Sequence, residues 1–199
     1  MNCRNFSARR RLAPEKTVSN VYYESTRPSG AGNSTPVWKQ LTFVPKITAL
    51  IHAYADAERL GRTLDSLRPC DQVLVVTHDD EATQEVARAH GATLKAGVEG
   101  VANGVYLVDA ANDWIFCIRP DEALSEALEA ALFEWKEKDP GETIGYSVAL
   151  REETASGWKP CAPQMRLVNR GLLNWTTELP PNNPAAPLLA GDLLRFSKP

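Results

Sequence analysis

From Lys46 onward, apolar and polar positions fall into alternating blocks. KITALIHAY (46–54) is a short apolar run of strand type. In the next segment, DAERLGRTLDSLRP, Leu60, Leu64 and Leu67 share one helical face. Asp56 is available as N-cap, and Pro69 stops the helix. QVLVVTH (72–78) is an almost unbroken Val/Leu run, the mark of a strand covered on both faces. DEATQEVARAH predicts a helix with Ala82, Val86 and Ala89 inward and Gly91 at its end, and ATL (92–94) predicts a brief third strand. After KAGVEG, residues Val101, Val105 and Val108 keep helical spacing. DWIFCIR (113–119) predicts the fourth strand. SEALEAALFEWKEK predicts a strong helix with Leu128, Leu132 and Trp135 on one face, closed by Asp139-Pro140-Gly141.

Strand–helix alternation with short loops implies right-handed crossovers and an α/β domain with a mainly parallel sheet. Ligands gather at the carboxyl ends of such strands. The loops at Ala55, at Thr77–Asp80 and at Arg119–Glu122 are therefore expected on one rim. The segment after 141 differs. TIGYSVALRE and APQMRLVNRG read as strands, and the Pro-rich stretch from Asn174 reads as irregular antiparallel additions and loops over that rim.

Charge divides the chain. Residues 1–45 carry 7 basic and 2 acidic side chains, whereas residues 46–199 carry 15 and 23. The acidic part does not read as a nucleic-acid binder. Residues 1–44 read as a disordered basic leader, rich in Ser, Asn, Pro, Arg and Gly. It is a solvated tail or, alternatively, a peripheral contact for an anionic lipid surface. Its opening lacks the apolar region of a secretory signal, and no apolar run nears the roughly 18 residues that span a bilayer. Cys3, Cys70, Cys117 and Cys161 are scattered without CxxC spacing, and Cys117 in WIFCI reads as a small buried hydrophobe. A reducing cytoplasm is the natural compartment.

The stretch 46–135 resembles glycosyltransferase family 2, in particular its short branch related to lipopolysaccharide-core sugar transferases. Two segments carry the resemblance, DQVLVVTHDDEATQEVARAHGA (71–92) and ANGVYLVDAANDWIFCIRPDEALSEAL (102–128). In the second, Trp114, Asp121, Glu122, Leu124 and Leu128 fall in register with the family pattern. Arg166-Leu167, Glu178 and DLLRFS (192–197) resemble its C-terminal features more loosely. The resemblance implies a Rossmann-like fold of the GT-A type over 45–199, with a nucleotide-sugar-binding part (46–140) and an acceptor-side extension (141–199). The implied activity moves a sugar from a nucleotide-sugar donor to a hydroxyl on a glycan or lipid-linked acceptor.

The family's chemistry needs a charge to hold the leaving diphosphate, usually Mg2+ or Mn2+ on an Asp-x-Asp motif, and a carboxylate base on the acceptor hydroxyl. By resemblance Asp121 is the surviving metal or diphosphate ligand and a catalytic acid. Glu122 lies beside it, Glu178 is the acceptor base, and Asn103 belongs to the donor site. Two positions depart from the pattern. Arg119 replaces the first acid of the motif, and Thr77 replaces the Asp that ends the second strand, leaving Asp79 or Asp80 to take its place. His52, ending the first strand, is placed near the nucleotide base. Arg166 and Arg195 are candidates for the diphosphate, and Trp158 and Trp175 are candidates to stack on a sugar. Arg119 has two readings. Its guanidinium contacts the diphosphate and replaces the cation, giving a metal-independent enzyme, or it pairs with Asp121 or Asp79 in a dead site. The second makes the chain a catalytically inactive binding or partner module.

Overall fold

The computed structural model describes residues 44–78, 80–98, 101 and 103–197. Of the expected leader only Val44 falls among these, and Asp79 lies outside them.

The first strand, β1 (Ile47–Ala53), is buried at all seven positions. Its side chains alternate between two cores. Ile47, Ala49, Ile51 and Ala53 face one cluster, and Leu50 faces the other. After α1 (Ala57–Asp65), β2 (Gln72–Thr77) runs parallel to β1. After α2 (Glu81–Ala89), β3 (Thr93–Ala96) runs parallel to β2. A 3-10 helix (Asn103–Asp109) leads to β4 (Trp114–Ile118), which returns to the opposite side of β1, again parallel. A tight turn then gives β5 (Glu122–Leu124) and α3 (Glu126–Lys136). The chain ends in a long hairpin of β6 (Gly145–Thr154) and β7 (Gly157–Asn169), followed by β8 (Leu188–Arg195).

Among the described residues, one eight-stranded sheet has the order β3-β2-β1-β4-β7-β6-β8-β5. Four neighbouring pairs are parallel; β4–β7, β6–β7 and β5–β8 are antiparallel. This is a Rossmann-like α/β sheet, mainly parallel, with an appended C-terminal half. The chain steps from β1 outward to β2 and β3 and then jumps back across β1 to β4. The strand order thus reverses between β1 and β4, and an open crevice forms there at the carboxyl ends.

The larger core lies under α1 and α3. Leu60 and Leu64 from the first and Leu67 just beyond its end, with Leu128, Leu132 and Trp135 from the second, pack on Trp114, Phe116 and Ile118. Each fully buried leucine contributes about 1.5–3 kcal/mol by leaving water. α3 begins with a true cap, the Ser125 hydroxyl accepting from Leu128 N at 3.2 Å. The opposite core holds Leu74, Val76, Tyr106, Ile115, Cys117 and Trp175. Burial pushes the Cys117 thiol up to about 12, so it packs as a neutral hydrophobe.

Several local expectations are corrected. α2 buries Thr83 and Ala87, while Ala82 and Ala89 are exposed and Val86 is half-buried. Its roll is set by its cap. Asp80 accepts from Thr83 N at 2.9 Å, and the Thr83 hydroxyl is held by Asp80 and accepts from Asp56 N at 3.0 Å. In the 3-10 helix, three residues per turn put Val105 and Val108 together on the exposed side. Tyr106 turns inward, with its hydroxyl accepting from Val98 N. The Pro-rich end is not irregular throughout. β8 carries Leu189 and Leu193 into the core and runs parallel to β6. Gly191, at φ +87°, makes this close crossing: a Cβ there would come within 2.2 Å of Leu128 N. Trp175 is core, not a sugar platform, and Trp158 lies on the outer hairpin against Phe196.

Candidate functional site

A cleft of about 260 Å³ opens at the crevice between β1 and β4. His52, Tyr54, Asp56 and Arg59 enter from the β1 side, Arg119, Pro120 and Asp121 from the β4 side, and Glu178 from the loop after β7. A larger hollow of about 400 Å³ lies at the amino ends of the strands, beside Lys46, Asp113 and Asp139. In open α/β sheets ligands collect at the carboxyl ends of the strands, which makes the smaller cleft the candidate site.

On the β1 side, the chain is pinned before it enters α1. Asp56 occupies the N-cap position, but its carboxylate does not cap the helix. It accepts from Tyr54 N at 2.9 Å and pairs with the Arg59 guanidinium. Between them Ala55 is held at φ +54°, a conformation that costs a non-glycine residue about 1–3 kcal/mol. The Tyr54 ring stacks on His78, with centroids 4.1 Å apart. Gly97 makes room for that imidazole, since a Cβ there would lie 2.3 Å from the ring. Burial, together with Glu178 and Tyr106, raises the Tyr54 phenol above its usual range.

His52 forms part of the cleft wall and is only 2% exposed. Its ring meets Tyr106 edge-on, and neither ring nitrogen has a hydrogen-bond partner among the described residues. Burial, with the neighbouring His78 adding to it, lowers its pKa to about 4. At neutral pH it is an uncharged ring with one free donor and one free acceptor.

On the β4 side, Arg119-Pro120-Asp121 forms a turn closed by Glu122 N donating to Arg119 O at 3.1 Å. The Thr63 hydroxyl on α1 reaches both Pro120 O (2.9 Å) and Glu122 O (2.6 Å). Below the turn, the buried Glu122 carboxylate accepts from Arg119 N (3.0 Å), Arg166 Nη2 (2.8 Å), and Arg195 Nε (3.1 Å) and Nη2 (2.9 Å). Arg166 also donates to Cys117 O and Gln164. Two predicted contacts are thereby corrected. Arg166 is fully buried and Arg195 largely so, and both are committed to Glu122; Glu122 itself lies beneath the cleft floor.

Asp121 faces the cleft differently. Its Oδ1 is buried with no hydrogen-bond partner among the described residues. The nearest cations are Arg119 Nε at 3.7 Å and Arg59 Nη1 at 4.0 Å, both too long for hydrogen bonds. The Arg119 guanidinium donates no hydrogen bond to any described residue, and that of Arg59 engages only Asp56.

The remaining predicted residues divide. Thr77 ends β2 and is buried, its carbonyl accepting from Gly97 N. Asp80 is occupied as the α2 cap. Neither forms the cleft wall. Asn103 opens the 3-10 helix, and its side chain lies outside what is described, as does Asp79. His52, Arg119, Asp121 and Glu178 meet in the cleft. Sequence reasoning missed Arg59. The available signal was its place in the first turn of the helix that leaves the rim, three residues after Asp56.

The donor set does not fit a divalent cation held by the protein. Among the described residues no group of three or more His, Cys, Asp or Glu is arranged for one. Asp56 and Glu122 are committed to arginines, and Asp121 stands between two guanidiniums. A positive charge about 4 Å from a guanidinium meets ~4 kcal/mol of repulsion per unit charge at an effective dielectric of about 20.

No protein-family model matches the sequence, and no curated protein matches it. Solved structures overlap it in part. Mannosyl-3-phosphoglycerate synthase from Rubrobacter xylanophilus aligns at 19% identity and TM-score 0.41, covering 55% of this chain and 40% of that one. The mannosyltransferase PcManGT from Pyrobaculum calidifontis, in complex with GDP-Man and Mn2+, aligns at 18% and 0.43, covering 55% and 36%. CMP:2-keto-3-deoxy-manno-octonic acid synthetase complexed with CTP aligns at 9% and 0.43, covering 64% and 76%. The chain spans less than half the length of the first two. At these scores the likeness is a partial backbone overlap, and the reading of the cleft rests on its own side chains.

Proposed function

We propose that this chain is a glycosyltransferase domain of the GT-A type, allied to family 2, that moves a sugar from a nucleotide-sugar donor to a hydroxyl acceptor. The supporting observation is the composition of the switch-point cleft. An uncommitted guanidinium (Arg119) lies beside a carboxylate with an orphaned buried oxygen (Asp121), and a further carboxylate (Glu178) and a neutral imidazole (His52) share the wall.

In this reading the diphosphate of the donor lies against Arg119, and its sugar lies by Asp121. The nucleoside extends toward His52 and the end of β2. Glu178 takes the proton of the acceptor hydroxyl. The acceptor oxygen forms a bond to the anomeric carbon as the bond from that carbon to the phosphate oxygen breaks. The electron pair leaves with the nucleoside diphosphate, whose charge the cleft cations offset. The nucleotide-binding part is 46–140 and the acceptor side 141–199. The acceptor is a glycan or lipid-linked hydroxyl in cytoplasmic assembly of surface polysaccharide or lipopolysaccharide. No helix of the described residues is long and apolar enough to cross a membrane.

A second reading, an inactive binding module, draws on Arg119 standing where the family places an acid and on Glu122 being consumed by arginines. A thermal-shift panel of UDP-, GDP-, ADP- and CMP-linked sugars, with and without Mn2+, tests the first. One donor is expected to raise the melting temperature by an amount that grows with the logarithm of its concentration above its Kd, and release of its nucleotide is expected with an acceptor present. Stabilisation without release under any acceptor supports the module; no response to any donor sinks the transferase reading and favours a module with another partner.

A further inference from the structure

Resting on that donor-binding reading, we propose that Arg59 and Arg119 form a two-guanidinium clamp that binds the donor's diphosphate without a divalent cation, with Asp121 receiving a sugar hydroxyl.

Three observations carry the inference. First, the two arginines approach Asp121 from opposite sides of the crevice, Arg59 from the first turn of α1 and Arg119 from the end of β4. Both belong to the cleft wall. Second, most of their donors are unused. A guanidinium presents five N–H groups in a planar fork suited to phosphoryl oxygens, and here Arg119 donates to no described residue while Arg59 engages Asp56 alone. Third, Asp121 Oδ1 is buried yet accepts nothing. A carboxylate oxygen in that state is an acceptor awaiting an O–H donor, and a sugar hydroxyl brings one within reach of the same cleft as the phosphates. The ligand class that satisfies all three is a phosphoryl anion joined to a polyol.

The scaffold also fixes one arm of the clamp and the base of the other before any ligand arrives. Arg119's backbone N–H is fixed by the buried Glu122, and Arg59's side chain by Asp56. The ordering left to binding is that of the Arg119 side chain.

The test is calorimetric titration of the purified full chain with UDP, GDP and inorganic pyrophosphate, once in EDTA and once in Mn2+. The clamp predicts binding in EDTA with affinity within about threefold of that in Mn2+. It also predicts at least a tenfold loss in Arg59→Gln and in Arg119→Gln, with Arg59→Lys intermediate. Both arginines are partly exposed, and matching circular-dichroism melts confirm that each variant is folded. Pyrophosphate binding in EDTA without nucleotide binding keeps the clamp and removes the nucleotide reading. Nucleotide binding that needs Mn2+ and survives both glutamine variants overturns the clamp and leaves the donor reading standing. No binding of any probe overturns the clamp.

Discussion

Two pairs of arginines meet the same short turn with opposite fates. Arg166 and Arg195, from the C-terminal half of the sheet, converge on one buried carboxylate beneath it. Arg59 and Arg119, from the parallel half, lie on its upper side with most of their donors free. All four look alike in sequence. The difference lies in burial and hydrogen-bond occupancy, and it teaches which cations hold shape and which are open to a ligand. A buried ion pair is weak evidence of net stability, because desolvation offsets the attraction. Its consequence is better stated as intolerance of losing one partner.

Glu122→Ala breaks the comparison most severely. It leaves Arg166 buried and unpaired, and a loss of about 3–5 kcal/mol in urea-unfolding free energy is expected. A loss below about 1 kcal/mol would show that the lower pair is not set apart as described. Next in size is a pH effect on the cleft side. His52 is neutral when folded, with its pKa lowered to about 4 from an ordinary 6.5. The unfolded chain binds that proton first, so stability is full above pH 6.5 and falls as pH drops toward 4. The loss is on the order of 3 kcal/mol from a shift of that size. Unfolding free energies across that window should decline in the native chain and decline less in His52→Phe, which keeps the ring against Tyr106. Smallest is Arg119→Gln. Removing an unbonded, partly exposed guanidinium should change unfolding free energy by no more than about 0.5 kcal/mol. A larger cost would assign Arg119 to the structural pair instead.

In the parallel half, β1, β2 and β4 were legible in the sequence because they are largely buried and read as nearly continuous apolar runs. α3 was legible because Leu128, Leu132 and Trp135 keep a clean period and Ser125 caps it. α2 was misread by one position because short, alanine-rich helices carry little phase information, and a tertiary bond from Asp56 N to Thr83 decides the roll. β8 was hidden by prolines before it and by the glycine at its crossing of α3. In the cleft, the rim loops and the residues His52, Arg119 and Asp121 could be placed from strand ends, whereas Glu178 was suggested only by the family resemblance. That Glu122 turns down while Asp121 stays up could not be. Adjacent residues differ there by which arginines come from 44 and 73 positions away.

Thr63 lies one helical turn beyond Arg59 on α1, and its single hydroxyl bridges the carbonyls of Pro120 and Glu122. The two lips of the cleft descend from different strands, yet this tether makes them one mechanical piece. The pairing of β1 with β4 spaces the strands, and the Thr63 side chain then fixes how far the turn after β4 stands from α1.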